Sequence, residues 1–404
     1  MYVQLNNPQR RVVQTYLVIS TAKELGMSFF ATTYVLFLLS RGLNLLEANL
    51  VNTVFFVTLF VFEIPTGIVA DVWGRKTSTT IAFSLTAIGM AAYFFANSFW
   101  TCALAEAISA IGMTFLTGAF DAWLVDELAY NGFSGQTRWI FSRSQQTGKI
   151  ASLGGSLLGA LMGSSSLALP WVAAAVVMTA TAVLASAMMR EQSFVRRPYS
   201  FIAGWRQSWM TWKAGIAYAR ESKPVRFLIV MGMIQSVGFM APNMQWTPWF
   251  KQLLGNSMDL GFVWWGIALM LMLGAELARA LSGNRSELWM LCATQIVVGA
   301  CVVLASSSSV TAYSLFFFLM HELGRGLYKP IQDAYLNANI PSRERATLLS
   351  LNAMSFHIGG AIGLVASGAI ANAWGIPATW AISGITLILG TTVVFTNGYR
   401  TKKG

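Results

Sequence analysis

Apolar residues run along this chain in long blocks separated by short polar stretches. An α-helix needs about 20 mostly apolar residues to cross a bilayer. Twelve blocks have that length, at about 14–39, 47–70, 78–98, 101–125, 140–162, 169–189, 226–247, 259–281, 288–307, 311–334, 347–370 and 377–397. The stretch 190–225 is the one long connection, polar and basic, and it divides the chain into six spans and six. The expected organisation is an N-terminal six-helix bundle over 1–189, a cytoplasmic basic linker over 190–225 and a C-terminal six-helix bundle over 226–404. Within the linker, GWRQSWMTWKAGIAYAR has an amphipathic pattern and predicts a helix lying on the membrane surface.

Composition agrees with that pattern. The 404 residues are 55% hydrophobic and 11% charged, where a soluble domain carries about 25% charged residues. A cytosolic enzyme, a nucleic-acid binder and a disordered chain are excluded, and lipid is the expected outer solvent. The three cysteines, Cys102, Cys292 and Cys301, all lie inside apolar runs and read as small buried side chains rather than a disulfide framework. The start is polar and basic, and no small-residue cleavage site follows, so the first span is expected to be uncleaved.

The net charge of +11 becomes informative once it is placed. With the N-terminus inside, 20 of the 27 basic residues fall on the cytoplasmic side, and only Arg41 and Lys251 fall outside. That bias predicts both termini in the cytoplasm and an even number of spans. The halves also echo each other. An offset of 207 places Asp126 on Asp333, Arg138 on Arg345, Pro170 on Pro377 and Gly67 on Gly274, which suggests a parallel duplication.

Between spans two and three the chain reads Gly67-Ile-Val-Ala-Asp71-Val-Trp-Gly74-Arg75-Lys76, preceded by Glu63-Ile-Pro65-Thr66. Gly67 lacks a side chain and would allow close helix contact. Asp71 is placed to face the positive N-terminus of another helix. Gly74 allows a tight reversal with positive φ. This segment resembles the loop signature G-x-x-x-D-x-x-G-R-K of the major facilitator superfamily, and its lead-in resembles that of efflux-type bacterial members. The resemblance covers essentially the whole chain. It implies an all-α integral membrane protein of twelve transmembrane helices in two pseudo-symmetric six-helix bundles, in the bacterial inner membrane. It also implies a cytoplasmic gate of Gly67, Asp71, Gly74, Arg75 and Asp126. There Asp71 would meet the start of span eleven, and Arg75 would meet Asp126 or Glu127. A topology anchor without a gating role is the alternative.

Ionisable residues inside spans cost roughly 2.5–3.5 kcal/mol on insertion scales and are expected to face water or a partner. In the fold this chain resembles, spans one, four, seven and ten line a central cavity. Lys23, Glu24, Glu106, Asp121, His321, Glu322 and Arg325 fall on three of these spans, and span seven adds Gln235, Asn243 and Gln245. Glu24, Asp121, Glu106 and Glu322 are the candidate proton carriers. Lys23 points about 100° away from Glu24 on a helix and need not pair with it. The alternative for each acid is a static ion pair: Lys23 with Asp121 or Glu106, or Glu322 with Arg325. The candidate substrate-binding set is Lys23, Phe30, Tyr34, Lys149, Gln235, Asn243, His321, Arg325 and His357. For Lys149, in a glycine-rich fifth span, the plainer expectation is a packing helix on which an acid of span one or four neutralises it. For His321 and His357 the plainer role is polar packing, and Trp246 and Trp249 read as an interfacial belt.

No nucleotide-binding loop, metal-ligand spacing or nucleophile–base signature is present, so no enzyme, metal or cofactor is expected, and the proton gradient would supply the energy. The expectation is a monomeric, proton-coupled secondary active transporter working by alternating access. Its partners are protons, the lipid bilayer and a small amphipathic molecule, a drug or secreted metabolite, which it exports. Proton-coupled uptake or exchange of an organic anion is the second expectation.

Overall fold

The computed structural model describes residues 5–194, 205–206, 210, 213, 216–256, 258–281, 286–339 and 345–400. Of these, 337–338, 345–347, 349–350 and 397–400 are described by backbone alone. The described residues build an all-helical protein of twelve spans, the major facilitator fold. Span one is α1 (Asn7–Ser28) with α2 (Tyr34–Ser40), span two is α3 (Leu45–Trp73) and span three is α4 (Arg75–Phe95). Span four is α5 (Phe99–Leu116) with α6 (Ala119–Tyr130), followed by α7 (Arg138–Ser165) and α8 (Leu169–Met188). Spans seven to ten are α9 (Lys223–Leu254), α10 (Asp259–Leu281), α11 (Glu287–Ser306) and α12 (Thr311–Asn339). Spans eleven and twelve form α13 (Arg345–Arg400), which turns at Gly375 with φ 81°. Residues 216–221 are helical, and most of the expected surface helix lies outside the described residues.

Two spans that read as continuous are broken. Span one breaks over 29–33, where the Phe30 carbonyl accepts from the amides of Thr33 and Tyr34 at 3.0 and 2.8 Å. Span four breaks at Gly118, whose φ of 77° a side chain would resist. Hydropathy alone does not register these kinks, because both flanks stay apolar.

Eight helices among the described residues are long and apolar enough to cross a membrane, and one of them, Leu351–Thr396, holds two spans. Spans one, five and ten do not stand among them. They carry Lys23–Glu24, Arg143 with Lys149, and the His321–Asp333 charge series, so they need protein or water around them rather than lipid.

The chain forms two compact units. One comprises Met1–Arg41 and Thr58–Ser208, the other Gly42–Val57 and Trp209–Gly404. In the first, α1 packs on α7 and α8, and α4 packs on α5 and α8. Small residues set that spacing: a Cβ on Gly112 would stand 2.8 Å from the Ala82 carbonyl, and one on Gly89 2.8 Å from the Ala105 carbonyl. In the second, α9 packs on α13, α10 on α12, and α11 on both α12 and α13. Gly274 lies on the Leu323 carbonyl and Gly326 on that of Leu271, so α10 and α12 touch backbone to backbone. Asn49, fully buried in this unit, donates to the Leu364 carbonyl at 2.9 Å and to Ser367 Oγ at 3.0 Å.

Trp246 and Trp249 are corrected here. Both are buried: Trp246 stacks with Trp264 and Phe318, and Trp249 Nε1 donates to Ser314 Oγ at 2.9 Å. Their indoles are core rather than belt because α10, α12 and α13 cover them. Cys102, Cys292 and Cys301 are buried free thiols.

Candidate functional site

The first unit holds most of the acids predicted from the sequence, each with its own partner. Lys23 Nζ lies 2.9 Å from Glu24 Oε1, with the two side chains 26% and 38% exposed. This corrects the expectation that they diverge: adjacent Cβ atoms leave a helix 100° apart, but a four-carbon stem spans that arc. Glu24 also packs under α7, where a Cβ on Gly148 would stand 2.8 Å from Glu24 Cγ. Neither alternative acid takes Lys23. Asp121 accepts from Tyr16 Oη at 2.7 Å, and buried Glu106 accepts from Tyr93 Oη. Lys149 is exposed and, among the described residues, pairs with no acid, which corrects its expected neutralisation. Its helix turns Gly148, Gly155, Gly159 and Gly163 toward α1 and thereby turns the neighbouring Lys149 away.

Phe30 stacks on Trp171 at 4.5 Å, Trp171 stacks on Tyr93 at 3.9 Å, and Tyr34 meets both edge-on. The two expected binding-wall aromatics are therefore parts of a packed aromatic column beside the break in span one.

At the end of this unit where α4 begins, the loop motif is tied down by side chains. Gly74 has φ 95° and supplies no cap for α4. The Glu191 carboxylate takes that place and accepts from the backbone amides of Arg75 and Lys76, while the Arg75 guanidinium pairs with Asp126. Trp123 Nε1 donates to the Arg190 carbonyl at 2.8 Å. Buried Glu127 accepts from Ser193 N and Oγ at 2.7 and 2.6 Å. A Cβ on Gly67 would meet no atom within 4 Å, so the expected close helix contact there is not made. Asp71 is exposed, and its expected partner at the start of span eleven falls among residues whose side chains lie outside the described set.

Burial pushes the Glu191 carboxyl above its ordinary value of 4.5, the two α4 amides pull it back, and nearby Glu127 adds to the rise. Between 4.5 and the raised value the folded protein holds a proton that the unfolded chain has lost. This contribution to stability is therefore complete below pH 4.5 and fades as pH rises through the window. Glu191→Gln, which cannot titrate, is expected to remove that slope. Melting curves from pH 4 to 8 that stay parallel for the two proteins would contradict it.

The second unit gathers its chemistry around α12. Glu322 is 3% exposed, and both its oxygens contact Arg325 Nη1, at 2.8 and 2.6 Å. The Arg325 guanidinium lies 3.6 Å from the centroid of the Phe239 ring. His321 is 1% exposed, with Nδ1 3.5 Å from Glu322 Oε1. Gln235 lies beside Arg325 in the lining of one small cavity. Further along α12, Lys329 pairs with Asp333. His357 packs against Phe56 at 5.6 Å, and Asn243 is exposed. Glu322–Arg325 is thus the one expected static pair that forms, and His321 adjoins it.

The Major Facilitator Superfamily model matches residues 17–331 and 283–404. The chain belongs to this superfamily of transporters. An uncharacterised MFS-type transporter of Bacillus subtilis (strain 168), YxaM, is 21% identical over 377 residues, covering 92% of each chain. Among solved structures, the nucleoside transporter NupG has a TM-score of 0.77 at 13% identity, covering 95% of this chain and 98% of its own. A bacterial homologue of the human lysosomal transporter Spinster, in an inward-facing and occupied conformation, has a TM-score of 0.77 at 13% identity over 98% of both chains. The human organic anion transporter MFSD10 has a TM-score of 0.65 at 14% identity, covering 96% of this chain and all of its own. These likenesses establish the fold, and membership makes the protein a membrane transporter of a small molecule.

Sequence reasoning missed Tyr16, Tyr93 and Phe239, which answer charges, Glu191, which caps α4, and Gln295 and Tyr328, which line the small cavity beside Arg325. Two left a signal. Gln295 interrupts the apolar run of α11, and Tyr328 follows Arg325 by one turn. The tyrosines and Phe239 look like any other span aromatics until the packing is known.

Proposed function

We propose that this protein is a proton-coupled secondary active transporter that exports an amphipathic small molecule by alternating access across the bacterial inner membrane, with both termini in the cytoplasm. The observation that carries the reading is the buried Glu322 carboxylate held, among the described lysines and arginines, by Arg325, which rests on the Phe239 face. Protonating Glu322 removes the charge that holds Arg325 and leaves a cation partly out of water. The two protonation states therefore favour different arrangements, as coupling requires. Lys23–Glu24, half exposed on α1, is a second pair that a proton or a cationic cargo can open. Phe30 and Tyr34 keep the packing role described above, which leaves cargo recognition in the first unit to Lys23, Glu24 and Lys149.

The test is flux of cationic and anionic amphipathic candidates in proteoliposomes under an imposed pH gradient. Flux that follows the gradient is expected, and flux indifferent to it would defeat proton coupling.

Lys149, exposed and without an acid partner among the described residues, favours a second reading, uptake or exchange of an organic anion, in which Lys149 receives a carboxylate or phosphate. On that reading Lys149→Gln lowers anion flux about tenfold, the equivalent of roughly 1.4 kcal/mol, and spares cation flux. Equal anion flux in variant and wild type would remove it.

A further inference from the structure

Behind Arg325, inside the second unit, a cavity of about 10 Å³ opens between α9, α11, α12 and α13. That is room for one water molecule. His321, Gln295 and Tyr328 line it, each 1% exposed. His321 Nδ1 and Nε2, Gln295 Nε2 and Tyr328 Oη are all buried without a hydrogen-bond partner. Tyr328 and Gln295 are neighbours whose alignment falls short of a hydrogen bond. One such atom is a packing compromise; His321 Nδ1 faces Glu322 at 3.5 Å, and the other three, around one void, are a set of binding groups. An unsatisfied buried polar atom is costly, and apolar cavities stay dry whereas polar ones with two to four partners hold water.

We propose that this cavity is a buried water site, and that the water joins His321 to Tyr328 and Gln295 so that His321 serves as the proton partner of Glu322. The site matches the chemistry of water. The Gln295 amide donates, the Tyr328 hydroxyl donates or accepts, and the imidazole does either. With Nε2–H donating to the water, Nδ1 is free to take the proton of Glu322: the Oε1–H bond breaks, an Nδ1–H bond forms, and a carboxylate and an imidazolium result. Arg325 then re-pairs with the carboxylate. The groups that face His321 are Glu322, Arg325 and Tyr328 on its own helix. From α9 come Gln235 and Phe239, from α11 Gln295 and Val298, and from α13 Leu387; none of these is ionisable. Cys292 of α11 lies in the same packed cluster as Tyr328.

The role of His321 rests on the proton-coupled reading above, whereas the water site does not. Two measurements on the full-length protein separate them. The first is a thermal double-mutant cycle with Gln295→Leu and Tyr328→Phe. If water is bound, each substitution lowers the melting temperature by a few degrees, and the pair costs no more than the worse single, because both act through one water. If the cavity is dry, each substitution removes an unpaired buried group and raises the melting temperature additively, which overturns the site. The second is the pH profile of transport in proteoliposomes. Each variant is expected to move its midpoint downward by about one unit, a tenfold loss of proton affinity, since an imidazolium without its water holds the proton less well. Unmoved midpoints in a protein whose flux follows the pH gradient would overturn the role of His321. Flux that ignores the gradient would instead defeat the coupling and leave the thermal cycle to judge the water.

Discussion

Glu322→Gln is expected to abolish gradient-driven accumulation while leaving downhill counterflow of the same substrate. Gln keeps the shape of the side chain and can accept from Arg325 through one oxygen, so the local fold persists. It can neither bind nor release a proton, so the link between Arg325 and the proton is cut. Removing one partner of a buried ion pair costs about 3–5 kcal/mol when the other stays buried. Arg325 is 26% exposed and rests on Phe239, so it recovers part of that loss through water and the ring. The remaining penalty falls on one state of the cycle more than the other. A loss of driven flux of about 100-fold, equivalent to roughly 2.7 kcal/mol, is the expected size. Proteoliposomes loaded with substrate and assayed with and without an imposed pH gradient give both quantities. Variant and wild-type flux rising equally with the gradient would place the coupling on Glu24, Asp121 or Glu106 instead. Those three hold a lysine or a tyrosine, and substitution there would then show the larger effect.

The second large effect is on folding. Gly159→Val on α7 is expected to lower the melting temperature by on the order of 10 °C, the equivalent of about 3 kcal/mol or more. A Cβ at Gly159 would sit inside the Phe29 carbonyl oxygen. That carbonyl lies where span one leaves its helical path, so neither partner can yield by a change of rotamer. α7 would have to lift off α1, and the contacts of Gly155 with the Leu25 carbonyl and of Gly148 with Glu24 would go with it. Gly154→Val is the control, because a Cβ there meets nothing within 4 Å. Thermal size-exclusion profiles of both variants and the wild type give the comparison. Equal losses at Gly159 and Gly154 would mean that the cost is generic to β-branching in α7 rather than to contact with span one.

The reach of the sequence can be judged from particular spans. The twelve-span pattern was legible because a bilayer imposes one length on every crossing helix. The polar character of spans one, five and ten was legible because charge in a span is rare. The resemblance of the loop motif implied Asp126 or Glu127 as the partner of Arg75, and the structure pairs it with Asp126. The breaks in spans one and four were not legible, since a helix kink inside apolar sequence depends on what the neighbouring helix presents, here the bare backbone of Gly159 in the first case. Helical geometry left Lys23 with no need to pair with Glu24, and its flexible stem makes the pair all the same. Trp246 and Trp249 looked interfacial because tryptophan composition is blind to which face a neighbouring helix covers.

The amino-acid order by itself determined the fold class, the number of spans, the loop motif and the list of ionisable groups within spans. These rest on hydropathy and local spacing, which are properties of the chain. Only the tertiary structure decided which group answers which charge: Tyr16 for Asp121, Tyr93 for Glu106, Arg325 for Glu322, the α4 amides for Glu191, and an acid-free setting for Lys149. A buried charge takes whatever donor or cation the packed helices bring within about 3 Å, and those partners stand up to 116 positions away along the chain.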